Sequence, residues 1–314
     1  MENGNLTLVT EFVLLGLSEN PDHQLPLFII FLIMYSIAIL GNAIIIAAIT
    51  TESELHSPMY FFICHLSLAD MCLTSVTAPK MLVNIMSKER SISFSNCITQ
   101  LYFFVAFLCI ESYLLGVMAY DRYVAICKPF HYVLVMNMRA NILLAVGSWT
   151  TGFLNSLLHS VMISLLLFCG PNFIENFFCD IPAMLKLSCS DTSTNELLIL
   201  TEATMMAMAS ILTIVISYIS IISTILRIHS NEGRRCTFST CSSHLIVVSL
   251  YYGTIIFSYI RPASTYSLQK DKVVSVMYTV VTPLVNPFIY SLRNKKVKEA
   301  MQRLLKRQLF FQRI

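Results

Sequence analysis

The chain has 314 residues, of which 56% are hydrophobic and only 12% charged. Soluble domains carry about twice that charged fraction, so 18 acids and 21 bases cannot furnish the polar shell of a soluble enzyme. A net charge of +3 is too small to suggest a nucleic-acid partner, and no repeat of solenoid length is present, which leaves an all-α integral membrane protein in one compact domain.

The first 24 residues are polar and acidic, without a basic n-region or a small-residue cleavage site. The first apolar segment is therefore expected to act as an uncleaved anchor. Asn5-Leu6-Thr7 is a glycosylation sequon in this stretch.

A membrane-crossing helix needs about 20 mostly apolar residues. Seven stretches qualify in order: Leu25–Ile49, Pro58–Pro79, Cys97–Tyr120, Asn141–Phe168, Leu197–Leu226, Cys236–Ile260 and Val273–Leu292. Their only acids are Asp70, Glu111 and Glu202, and they hold no Lys or Arg. The runs are continuous rather than alternating, which favours helices over a barrel. The expected organisation is an extracellular N-terminus (1–24), a seven-helix bundle (25–292) and a cytoplasmic tail (293–314).

Charge sets the orientation. With the N-terminus outside, the inner face carries fourteen bases and five acids (net +9), and the outer face seven bases and ten acids (net −3). The Lys/Arg excess belongs on the cytoplasmic side. One inner loop dissents, because residues 51–57 carry Glu52 and Glu54 but no base.

Cysteines divide by depth. Cys97, Cys169, Cys179 and Cys189 fall at the oxidising outer face, where four cysteines allow three pairings. Asp70 and Glu111 lie at similar depth, about 20 and 16 Å from the inner ends of their spans. Two carboxylates together in low dielectric need a cation or a proton. They read either as a sodium or proton site assisted by Asn286 and Asn42, or as two protonated acids tying helices together. Pro283 and Pro287 remove backbone donors and should kink the last span beside Tyr290.

After Leu292, Val297, Ala300, Met301, Leu304 and Leu305 share a stripe, with Lys295, Lys296, Lys298, Arg303 and Lys306 on the other faces. This predicts an amphipathic helix lying on anionic membrane lipid. The tail has no cysteine for palmitoylation. His65, His159 and His244 lack the sequence neighbours of a catalytic or metal constellation, so no enzyme activity is expected. Neither the internal repeats of transporters nor a filter loop is evident.

The local strings are more specific. LHSPMYFFI (55–63), LSLAD (66–70), MAYDRYVAIC (118–127), SY (217–218), TFSTCSSHL (237–245) and PLVNPFIYSLRN (283–294) stand in this order along seven spans. The sequence resembles an olfactory receptor of the rhodopsin-like G-protein-coupled family over essentially its whole length. The resemblance implies a multi-pass plasma-membrane receptor for small odorants. It also implies activation of a stimulatory G protein that raises cyclic AMP. Matching ligand positions are Phe104, Val105, Leu108, Cys109, Ser112, Glu202, Met206, Ile255, Tyr259 and Thr279, in the outer halves of spans three, five, six and seven. Cys97 would pair with Cys179 and Cys169 with Cys189.

At the inner end the resemblance assigns coupling to Asp121-Arg122-Tyr123, with Arg122 held at rest by Asp121. Tyr290, next to Asn286 and Pro287, would swing towards Tyr218 on activation. Asp70 and Asn286 match sodium-site positions, and Glu111 is typical of the olfactory branch. Tyr251-Tyr252-Gly253 stands where other rhodopsin-like receptors carry a Cys-Trp-x-Pro toggle. Arg234-Arg235 stands where many of them carry a restraining acid.

Overall fold

The computed structural model describes residues 9–311 except 19, 88, 170–171, 228–229, 260–267 and 294. Asn5 lies outside them. Long helices dominate: α1 Pro21–Thr51, α2 Pro58–Met86, α3 Phe94–Cys127, α5 Met138–Ser164, α7 Ser193–Leu226 and α8 Asn231–Tyr259. Two short helices, α4 Tyr132–Val135 and α6 Ile181–Lys186, lie in loops. The last span is composite, α9 Leu268–Val276, a π turn Met277–Val281 and α10 Thr282–Arg293, and α11 Lys295–Phe311 follows.

Local chemistry explains the boundaries. Asn20 caps α1 by accepting from the Asp22 amide at 3.0 Å, with Pro21 in the first helical position. Ser93 caps α3 through the Asn96 amide, and Asn137 caps α5 through the Ala140 amide. The helices outrun the expected spans. α2 continues through Pro79, and α3 carries Asp121 and Arg122 on to Cys127. α8 begins before the expected sixth span and runs to Tyr259. Among the described residues five helical stretches are long and apolar enough to cross a membrane, and α5 with its lead-in bent by 67° makes a sixth.

Burial is inverted relative to a soluble protein. Leu40, Leu143 and Leu200 are 61%, 70% and 66% exposed, while Asn42, Asp70, Glu111 and Asn286 are buried. Apolar residues outside and polar residues inside suit a bundle whose solvent is lipid. α3 is the central post, packed on α2, α5 and α7. Gly152 lets α5 approach it, since a Cβ there would stand 2.6 Å from Ile110 Cγ1.

The last span is tied down by a side chain. Pro287 has no N–H for the carbonyl of Pro283, four residues earlier. Asn42 of α1 supplies the missing donor at 3.0 Å. Its Nδ2 is thereby engaged, while its Oδ1 is buried without a partner among the described residues.

At the disulfide end the chain before α1 joins a small three-stranded sheet. β1 (Glu11–Leu14) lies between antiparallel β2 (Ser91–Ser93) and parallel β3 (Phe173–Ile174). Phe12 is fully buried against the Phe168 and Phe94 rings, 5.5 and 6.1 Å away. Gly16, at φ +70°, turns the chain after the strand.

Candidate functional site

The disulfide end is cross-linked twice, Cys97–Cys179 and Cys169–Cys189. The first bond fastens the loop after α5 to the top of α3. Gln100 strengthens that attachment, accepting from the Cys179 amide at 2.9 Å and donating to Val76 O at 3.0 Å. Phe178 of this loop packs edge-on to Phe104, ring centroids 4.8 Å apart, and Phe104 also meets Tyr278 at 5.9 Å.

Below this roof the expected ligand set is partly assembled. Phe104, Val105, Leu108, Cys109 and Ser112 occupy the buried face of α3, and Thr279 is fully buried. Tyr251 of α8 donates to Leu108 O, and Tyr252 shares a 2.9 Å hydrogen bond with Ser112. Cys109 is turned towards α5, where Asn155 Nδ2 lies 3.5 Å from its sulfur. Met206 and Ile255 are half-buried, and the Tyr259 side chain lies outside the described part. Glu202 has the partner that the sequence did not reveal: His159 Nε2 of α5 is 2.8 Å from its Oε2. His159 is therefore not a bare packing residue.

In mid-bundle, Asp70 and Glu111 are hydrogen-bonded to each other. Such a contact between two carboxyl groups requires at least one proton. Asn286 Nδ2 donates to both Asp70 oxygens, at 3.1 and 2.9 Å. Glu111 Oε1 is buried without a partner. Two carboxyl groups and an amide are hard oxygen donors that fit a small cation. Among the described residues no cluster of three or more His, Cys, Asp or Glu side chains forms a metal site.

At the opposite end Arg122 is half-buried next to the buried Asp121. The expected Asp121 restraint takes another form. Among the described residues Arg122 makes no ion pair with Asp121, whose carboxylate accepts instead from the Tyr132 hydroxyl at 2.9 Å. Backbone direction explains this, because adjacent residues on a helix point about 100° apart, whereas Tyr132 folds back beneath α3. Tyr123 packs near Tyr120, with Lys128 Nζ 5.6 Å from its ring.

His244 carries more than packing. Tyr218 O–H lies 2.8 Å from its Nδ1 and 3.2 Å from Cys241 O, and its Nε2 is 3.1 Å from Leu115 O. A carbonyl only accepts, so Nε2 holds the ring proton and Nδ1 receives Tyr218. One imidazole thus joins α7, α8 and α3. Tyr290 is buried with its hydroxyl unpartnered among the described residues.

α11 buries Val297 and Ala300 and packs on α1 and α10. Arg303 belongs to a clamp rather than to the lipid-facing basic set: its Nη2 reaches Glu52 at 3.1 Å and Glu54 at 3.5 Å. The two acids of the dissenting loop are thereby accounted for. The side chains of Leu305 and Lys306 lie outside the described part.

Comparison with known proteins agrees with this architecture. Residues 31–308 match the family described as olfactory receptor. Olfactory receptor 1G1 of gorilla is 52% identical over 305 residues, 97% of each chain. Human olfactory receptor 5J2 is 50% identical over 310 residues, 99% of each. The crystal structure of squid rhodopsin superposes with TM-score 0.71 at 20% identity, over 92% of this chain and 87% of that one. The fold is a seven-transmembrane bundle of the rhodopsin type, and the chain belongs to the olfactory receptor family.

Proposed function

We propose that this olfactory receptor takes a small, largely apolar odorant between α3, α7, α8 and the last span. Binding there activates a stimulatory, olfactory-type G protein and raises cyclic AMP. The receptor sits in the plasma membrane with its N-terminus outside, as the distribution of Lys and Arg favours. Asp70 and Glu111 set the resting balance by holding sodium or a proton, and α11 lies on membrane lipid.

One observation carries the reading. Tyr252, bonded to Ser112 in the ligand layer, and His244, bonded to Tyr218 beside Arg122, stand eight residues apart on one helix. At 1.5 Å per residue that is about 12 Å of rigid α8. An odorant that displaces Tyr252 from Ser112 shifts α8, and the same shift strains the His244 bridge. A ligand favours the signalling arrangement only as far as it binds that arrangement more tightly.

The test is Arg122→Ala with a surface-expression control, a cyclic AMP readout and an independent measure of odorant binding. We expect loss of cyclic AMP production with odorant binding retained, and at most a modest affinity drop through reciprocal coupling. A full cyclic AMP response at normal surface level overturns the proposal.

A further inference from the structure

Between α2 and the start of α3, outside the odorant layer, lies a cavity of about 380 Å³. That is within the range of small-ligand sites, about 300–1,000 Å³. Lys80, Ser93, Asn96 and Thr99 line one level of it, and Val76 and Phe103 another. Lys80 is half-buried and donates to Ser91 O at 2.8 Å. The other two N–H donors of its ammonium are engaged by no described residue, and no described carboxylate pairs with it. Asn96 and Thr99 are exposed and Phe103 is 39% exposed, so the cavity opens sideways rather than into the bundle.

Spacing gives the cavity a polarity. Val76 lies one turn below Lys80 on α2, and Phe103 one turn below Thr99 on α3, so about 6 Å separates a cationic, hydroxyl-rich rim from an apolar floor. A half-buried ammonium with spare donors is matched best by an anion, since charge-assisted bonds are the stronger ones. One cation calls for one negative charge. The first turn of α3 opens on the same rim and adds the positive end of its dipole.

We propose that this cavity binds a monoanionic amphiphile, its head on Lys80 and its alkyl chain along Val76 and Phe103. Under the orientation proposed above the site faces the outer leaflet. Anionic phospholipid is concentrated in the cytoplasmic leaflet, so the class favoured is a free fatty acid carboxylate. Because Lys80 also holds Ser91 O, and Ser91 pairs with Val13 of β1, an occupant touches the anchorage of the cap sheet. The inference rests on the receptor reading only for the leaflet it names.

Purified full-length receptor in phosphatidylcholine nanodiscs is titrated with a fluorescent-tagged laurate and competed with laurate or dodecanol. We expect laurate to compete at least about tenfold better than dodecanol, and Lys80→Gln to remove that preference. Thr99→Asp leaves the Lys80–Ser91 bond in place and sets a negative charge on the rim, and it should also abolish laurate binding. Phosphatidylglycerol in the nanodisc supports the site either way: displacement of the probe names phospholipid as the source of the anion, and no displacement names free fatty acid. Equal competition by dodecanol, or laurate binding unchanged in both variants, overturns the proposal. Arg122→Ala should bind laurate normally, which separates this result from failure of the signalling reading.

Discussion

Asn42 donates to the carbonyl of Pro283 at 3.0 Å, across 241 residues of sequence. It thereby replaces the helical hydrogen bond that Pro287 cannot make. α10 is thus tied to α1 at its proline, where Gly41 allows close approach because a Cβ there would sit 3.2 Å from Pro287 Cβ.

Asn42→Leu should strip this donor and leave a buried carbonyl unsatisfied. The cost is about 1–3 kcal/mol, or on the order of 2–10 °C in the melting temperature of purified receptor. Thr50→Val is the control, since Thr50 is exposed and bonds only within its own helix, to Ile46 O and Ala47 O. Equal melting temperatures for Asn42→Leu and wild type would remove the argument.

The acid pair gives a second expectation. Glu111→Gln keeps an N–H donor for Asp70, so the receptor should fold, but it removes one carboxyl oxygen from the pair. Asp70→Asn replaces one of the two oxygens to which Asn286 donates. Both should shift basal and odorant-driven cyclic AMP and blunt its dependence on sodium concentration. Surface-expressed variants with unchanged dose–response curves across a range of sodium concentrations would show the pair to be structural only.

Arg303 makes a third case. A half-exposed ion pair contributes about 1 kcal/mol or less, so Arg303→Ala should leave thermal stability nearly unchanged while loosening α11. A spin label at Gln302, which is exposed, should become more mobile in Arg303→Ala and not in Lys298→Ala. Restored order in the swapped pair Arg303→Glu with Glu52→Arg would assign the effect to the clamp, and no added mobility in Arg303→Ala would exclude it.

The seven spans were legible because lipid imposes a long apolar run on each, whatever its partners. The gap in the last span's hydrogen bonding was legible because Pro287 lacks an N–H in any context. Partnerships across the bundle were not. Glu202 and His159 are 43 residues apart and Tyr132 folds under α3 through a loop, so neither contact leaves a periodic trace. Strand β1 is four residues, Glu11–Leu14, too short for alternation to stand out, and it is ordered by pairing with β2 and β3. His244 hid for a related reason: an imidazole among apolar residues looks like packing until Tyr218 and Leu115 are brought to its two nitrogens.

The last prediction concerns that imidazole. While Tyr218 gives its single proton to His244 Nδ1, it is not available to Tyr290, so the bridge opposes the arrangement expected in signalling. His244→Leu keeps an apolar side chain of similar bulk and removes both bonds, leaving Tyr218 only the longer 3.2 Å contact with Cys241 O, which it can exchange for Tyr290. Each net hydrogen bond contributes about 1 kcal/mol, and that amount changes a two-state ratio about fivefold. Basal cyclic AMP should therefore rise about fivefold or more at equal surface expression. His244→Gln offers an N–H to Leu115 O and an oxygen to Tyr218, and it should stay near the wild-type level. A flat basal signal in the leucine variant, or an equal rise in the glutamine variant, would reduce His244 to packing and leave the resting state held by other contacts.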